Sequence, residues 1–277
     1  MKTGIILLAR MSSSRLPGKV LLELCGKTIL EHVIRRLEKV SQVDELVVAT
    51  TINPKDREIE KLCKRLGVHC FRGDENNVLG RCIEATREFN MDVVVRLGAD
   101  SPLIDWEVIN DMLQTYKNLF KKGIDVEYLS NTLDRSYPLG LDAEIFKKET
   151  FLRIDEETKV LSSKERVLNE INVIPYLHQH KDRFNVFSYK KDFDYSHLRW
   201  TLDTPEDFEL IKRIYESLYH FKPVFLMRDV LALLEKNPEW SLVNAKIVPK
   251  SGFWTQKEQD KLKRRLTLGE GHRVGKS

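Results

Sequence analysis

Along the first hundred residues, short apolar runs of strand length alternate with stretches whose apolar positions recur every three to four residues. Gly4 to Ala9 is a continuous apolar run and predicts a buried first strand. Ile29, Leu30, Val33, Ile34, Leu37 and Val40 share one helical face, which predicts an amphipathic helix over Lys27 to Val40. Leu46 to Thr50 predicts a second strand. Asn53-Pro54 offers a cap residue followed by proline at the first helical position, opening a helix that runs to about Leu66. Val68 to Phe71 reads as a third strand, and a helix with Val78, Leu79, Cys82, Ile83 and Ala85 on one face follows. Asp92 to Leu97 is the fourth strand. This alternation predicts an α/β fold with a mainly parallel sheet flanked by helices.

After Ser101 the periodicity loosens. A helix is expected over Trp106 to Phe120, strand-like pieces at Ile124 to Leu129 and Ala143 to Phe146, and a helix at about Lys164 to His180. This irregular middle, about 124–195, reads as a small insert for dimerisation or substrate shaping. Arg199 to Asp203 predicts a returning strand. Thr204-Pro205-Glu206-Asp207 is a helix start, with a cap, a proline and two acids facing the positive helix end. Two helices fill most of Pro205 to Lys236.

A chain of 277 residues with 42% apolar content can bury a full core in one large domain. No apolar run reaches the roughly 18 residues of a membrane span, so a cytoplasmic protein without membrane insertion is expected. Cys25, Cys63, Cys70 and Cys82 form no C-x-x-C pair and predict reduced, mostly buried thiols. The net charge is +4, but Lys246 to Ser277 holds nine Lys/Arg against three Asp/Glu. The remainder is therefore slightly acidic, which disfavours nucleic acid as a partner of the body. Residues 1–250 are expected to form the domain, and 251–277 a basic C-terminal tail.

Three segments carry candidate chemistry. Arg10 to Lys19 follows the first strand and brings three hydroxyls, two guanidinium groups and an ammonium into ten residues. Loops at the carboxyl ends of parallel strands hold ligands, and this one suits a polyanion. The same residues also fit a solvated polar turn. It is not a P-loop, since the G-x-x-x-x-G-K-[ST] pattern is absent. Asp100 lies at another strand's carboxyl end, and Asp203 lies between a strand end and a helix already capped by Thr204. Neither has an ion-pair duty visible in the sequence. Two such carboxylates opposite a basic loop fit Mg²⁺-assisted phosphoryl transfer, because Mg²⁺ takes one or two carboxylates and completes its shell with phosphate and water.

LARMSSSRLPGKVL at 8–21, RGDENNVLGRCIEA at 72–85, VVRLGADSPLID at 94–105, YPLGLDAEIF at 137–146 and LRWTLDTPEDFELI at 198–211 occur in this order. Together they resemble the cytidylyltransferases that activate 3-deoxy-manno-octulosonate and acylneuraminate sugars, especially the spore-coat-polysaccharide branch. The resemblance implies a Rossmann-like nucleotidyltransferase fold, CTP as donor, a sugar acceptor, Mg²⁺ as cofactor and a homodimer. It implies that Arg10, Arg15 and Lys19 hold the triphosphate, that Leu8, Ala9, Arg72, Gly73 and Arg81 border the nucleotide, and that Asp100 and Asp203 carry the metal. Gly140, Asp142 and Glu144 would border the sugar. The chain departs from the octulosonate enzymes at Gly73 to Asn77, and from the spore-coat branch at Gly80 and at Glu170 to Ile174. The expected reaction is transfer of CMP to a sugar, an acidic one, for surface polysaccharide or glycan synthesis. A metal-dependent glycosyltransferase and a non-catalytic nucleotide-binding protein with a basic interaction tail are the alternatives.

Overall fold

A computed structural model of the chain describes residues 1–159, 176–177, 180 and 182–247. The basic tail and most of the helix expected at Lys164 to His180 lie outside the described residues. Four strands, β1 (Thr3–Leu8), β4 (Glu45–Thr51), β5 (His69–Gly73) and β6 (Val93–Gly98), pair in parallel in the order β5-β4-β1-β6. The sheet continues through β8 (Glu144–Lys147), β7 (Tyr128–Ser130) and β9 (Val186–Ser188). Only β8 runs against the others. The expected insert therefore supplies three strands of the one seven-stranded sheet. A two-stranded hairpin, β2 (Glu23–Leu24) with β3 (Lys27–Thr28), stands apart.

Side chains alternate across the strands, so each strand feeds two cores. Ile5, Leu7, Val48, Val93 and Val95 face one layer with α1 (Ile29–Leu37), α2 (Arg57–Leu66), α4 (Trp106–Lys121), α6 (Pro205–Leu218) and α7 (Met227–Lys236). Ile6, Val47, Ala49 and Val94 face the other, with α3 (Val78–Glu88) and α5 (Lys148–Thr158). Each fully buried aliphatic side chain contributes about 1.5–3 kcal/mol. No described helix is long and apolar enough to cross a membrane.

Three expectations need correction. Lys27 and Thr28 are strand, because Cys25 and Gly26 both take positive φ (48° and 75°) and close a hairpin before Thr28 caps α1. The periodicity did not reveal α5, which follows β8 directly. Arg199 to Asp203 is no sheet strand among the described residues and forms an isolated bridge at Leu139–Arg199. Its backbone donors go elsewhere: Trp200 N–H to the Leu139 carbonyl at 2.7 Å and Leu202 N–H to the Asp100 carbonyl at 2.8 Å.

Candidate active site

The loop after β1 is shaped by its own backbone. The Gly18 N–H returns to the Met11 carbonyl at 2.9 Å, and Gly18 adopts φ 72°, a left-handed conformation that favours glycine. Asp56, 1% exposed, accepts from the Met11 N–H at 2.8 Å and from the Thr51 hydroxyl. A helix-start residue thereby ties the loop to the end of β4. Lys19 opens a 3₁₀ turn, Lys19–Leu21, with its side chain directed inward.

Lys19, Asp100 and Asp203 converge on one point. Lys19 Nζ lies 2.8 Å from Asp100 Oδ2 and 2.8 Å from Asp203 Oδ1. Arg15 Nη2 reaches Asp203 Oδ2 at 2.7 Å. The two aspartates meet because their segments are stitched together. The Asp100 carbonyl accepts from Leu202 N–H and, at 3.2 Å, from the Thr201 hydroxyl. Gly98 leaves room beneath, since a Cβ there would lie 2.5 Å from Asp100 Oδ1. Burial opposes the charge on Lys19, but the two carboxylates outweigh it and raise its pKa. Burial likewise opposes the charge on Asp203, and Lys19, Arg15 and Arg199 overcome it and hold its pKa below 3.8. Asp203 thus has the ion-pair duty that the sequence does not disclose.

Beneath Asp203 lies a buried network. Arg199 donates from Nε and Nη2 to the two Asp207 oxygens, each at 2.8 Å, and Nη2 also reaches Asp203 Oδ2 at 3.3 Å. Asp207 accepts from the backbone N–H groups of Asp203 and Thr204 as well. In the sequence Asp207 offered a helix-start signal and Arg199 a place in an expected strand, and neither was assigned a part in the site. Both were missed because their partnership exists only in three dimensions.

The other expected site residues fall into two groups. Arg72 braces the end of β4, with Nε on the Thr51 carbonyl and Nη2 on the Asn53 carbonyl, both at 3.0 Å, and Nη1 on Glu60. Gly73 pairs with the same loop through Ile52 N–H. Arg81, 3% exposed, donates to the Asp74 carbonyl at 2.7 Å, and its Nε has no hydrogen-bond partner among the described residues. Burial, with Arg10 as a lesser cause, pushes its pKa down. Leu8 ends β1 beside Gly98 of β6, Ala9 just beyond it donates to the Ala49 carbonyl of β4, and Arg10 is exposed at the head of the loop. Ser12 and Asn53 both donate to Glu75, a residue sequence reasoning did not single out, and lower its pKa.

On the sugar side, Asp142 forms a two-pronged pair with Arg135. Glu144 is 4% exposed and is held by Arg96 and by the Tyr128 hydroxyl at 2.6 Å. Both carboxylates are therefore engaged internally. Gly140 has φ 108°, and a Cβ there would lie 2.5 Å from Thr201 N and from the Trp200 carbonyl carbon. Those atoms belong to the segment that carries Asp203. Gly140→Ala should therefore cost on the order of 1–3 kcal/mol and lower turnover as the segment shifts, measured by thermal melting beside kinetics.

Among the described residues no three His, Cys, Asp or Glu side chains gather as a metal cluster. Two convergent carboxylates alone still fit Mg²⁺, which completes its octahedron with phosphate oxygens and water.

The cytidylyltransferase family profile matches residues 4–230. The chain is 35% identical over 255 residues to an uncharacterized protein of Methanocaldococcus jannaschii, covering 91% of this chain and 98% of the other. It is 29% identical over 238 residues to the spore coat polysaccharide biosynthesis protein SpsF of Bacillus subtilis, covering 84% and 94%. The solved structure of a cytidylyltransferase from Leptospira borgpetersenii superposes with a TM-score of 0.80 at 31% identity, covering 90% of this chain and 99% of that one. A match that runs from β1 into α7 makes this chain a member of the cytidylyltransferase family, and so a nucleotidyltransferase.

Proposed function

We propose that the chain transfers CMP from CTP to an acidic sugar, releasing pyrophosphate, in the synthesis of a surface polysaccharide or related glycan. The observation that carries this reading is the convergence of Asp100 and Asp203 on the Lys19 ammonium beneath the Arg15 loop. The site offers cations for a triphosphate and paired carboxylates for a divalent ion, side by side at the carboxyl edge of the sheet. The family membership and the likeness to the spore-coat protein support cytidine and the polysaccharide role.

In this reading a sugar hydroxyl oxygen attacks the α-phosphorus and gives up its proton to solvent, a new O–P bond forms, and the bond from the α-phosphorus to its bridging oxygen breaks. Pyrophosphate leaves with that electron pair. Arg15 and Lys19 bind and orient the phosphates, and Arg199 keeps Asp203 directed at the reaction centre. Asp100 and Asp203 would hold Mg²⁺, which when bound would screen the phosphate charge. Positioning and electrostatics are the main levers in such a transfer.

With Mg²⁺ present, CTP should raise the melting temperature more than ATP or GTP at equal concentration. A panel of acidic and neutral sugars, with pyrophosphate release as the readout, should then give turnover with CTP and an acidic sugar. Equal thermal shifts for all three nucleotides would remove cytidine selectivity, and turnover confined to neutral sugars would remove the acidic acceptor.

A further inference from the structure

The segment after α7 folds back under the site. Pro238–Leu242 makes a short 3₁₀ turn, and Asn244, 2% exposed, then enters the network below Asp203. Asn244 Nδ2 donates to Asp207 Oδ1 and to the Arg199 carbonyl, both at 2.9 Å. This amide is a neutral double donor inserted where a carboxylate and a carbonyl meet, and both of its available hydrogens are used. Asn244 also lies beyond residues 4–230, the stretch that matches the family profile.

We infer that Asn244 is a positioning residue for Asp203, acting through Asp207 and Arg199. Asp207 has about four acceptor directions and is ringed by donors from Arg199, Asp203, Thr204 and Asn244. Asn244 pins the Oδ1 side, which sets the plane of the carboxylate and with it the plane of the paired guanidinium. That guanidinium reaches Asp203 Oδ2. Removing the amide leaves Asp207 Oδ1 with Arg199 alone and frees the Arg199 carbonyl, so the pair can rotate, and Asp203, still paired with Lys19 and Arg15, loses the contact that steadies it from the Arg199 side. The inference rests on the reading of Asp203 as a metal ligand. Outer partners of metal-binding carboxylates typically carry about 10–100-fold in metal affinity or activity.

The test is a Mn²⁺ titration of the full-length protein with CTP present, following the free-ion signal by electron paramagnetic resonance. Asn244→Ala should weaken Mn²⁺ binding by about tenfold and lower kcat, while KM for CTP at saturating metal stays near the wild-type value. Asn244→Ser, which keeps one donor, should fall between the two and serves equally if the alanine variant fails to fold. Leu234→Ala, in the core of α7, is the stability control: it should lower the melting temperature without moving Mn²⁺ affinity. Wild-type Mn²⁺ affinity in the Asn244 variants, with Asp203→Asn clearly weakened, would overturn the inference and leave the metal reading standing. Unchanged affinity in Asp203→Asn would instead overturn the metal reading beneath it.

Discussion

Asp100→Asn and Asp203→Asn should each lower turnover by at least about 10²–10³-fold while the protein remains folded. Asparagine keeps the size and shape of the side chain and removes the negative charge that a divalent ion requires. The two carboxylates lie on either side of one cation, each 2.8 Å from Lys19 Nζ, so losing either leaves a half-site. The fold should survive because charges remain partnered: Arg199 keeps Asp207, and Lys19 keeps whichever aspartate is left. The double variant should be little worse than the poorer single one, as expected of groups acting as a unit. The stability-pH curve gives an independent check without metal. The folded pKa of Asp203 lies below its ordinary 3.8, so its contribution is present above that value and is lost as pH falls through the folded one. Asp203→Asn should therefore flatten the curve below about pH 4. Retention of activity in both single variants together with a loosened fold would show that these aspartates are structural.

Lys19→Ala should weaken nucleotide use by at least about tenfold, since a charge-assisted contact carries about 1.5–3 kcal/mol. It should exceed the effect of Arg15→Ala, because the Lys19 side chain is 9% exposed and Arg15 is 28% exposed. A second consequence has the opposite sign. With the internal ammonium gone, Asp100 and Asp203 face each other with less positive charge between them, so Mn²⁺ without nucleotide should bind more tightly than to the wild type. Steady-state kinetics with varied CTP, beside a nucleotide-free Mn²⁺ titration, reads both effects. Wild-type values in both measurements would return the loop to a solvated polar turn.

The fold was largely legible from periodicity where chain segments are local. The four parallel strands and the helices that follow them appear within a few residues of their expected places, because burial on alternate faces writes itself into the apolar spacing. Asn53, Thr204 and Asp105 act as helix caps by short-range hydrogen bonds, and the first two were visible as such. The signal failed at two local features whose marks are weak. Cys25 at positive φ has no compositional mark, and α5 carries a weaker apolar stripe beside strands of only three or four residues.

The site divides along a different line. From the sequence by itself came the residue types and their strand-end addresses: the basic loop of Arg10 to Lys19, with Asp100 and Asp203 each following an extended run. Tertiary structure alone decided that Lys19 stands between the two aspartates and that Asp142 and Glu144 are taken up by Arg135 and Arg96. It alone decided that Arg199, Asp207 and Asn244 support Asp203. The reason is physical. A parallel sheet brings its strand ends to one edge, which sets the loop after β1 beside Asp100 after β6. Asp203 follows no sheet strand and joins them because its segment hydrogen-bonds to the Leu139 and Asp100 carbonyls. Which charges then pair is set by distances of a few ångströms, whether the residues lie 7 positions apart like Arg135 and Asp142 or 184 apart like Lys19 and Asp203, and one-dimensional spacing does not encode those distances.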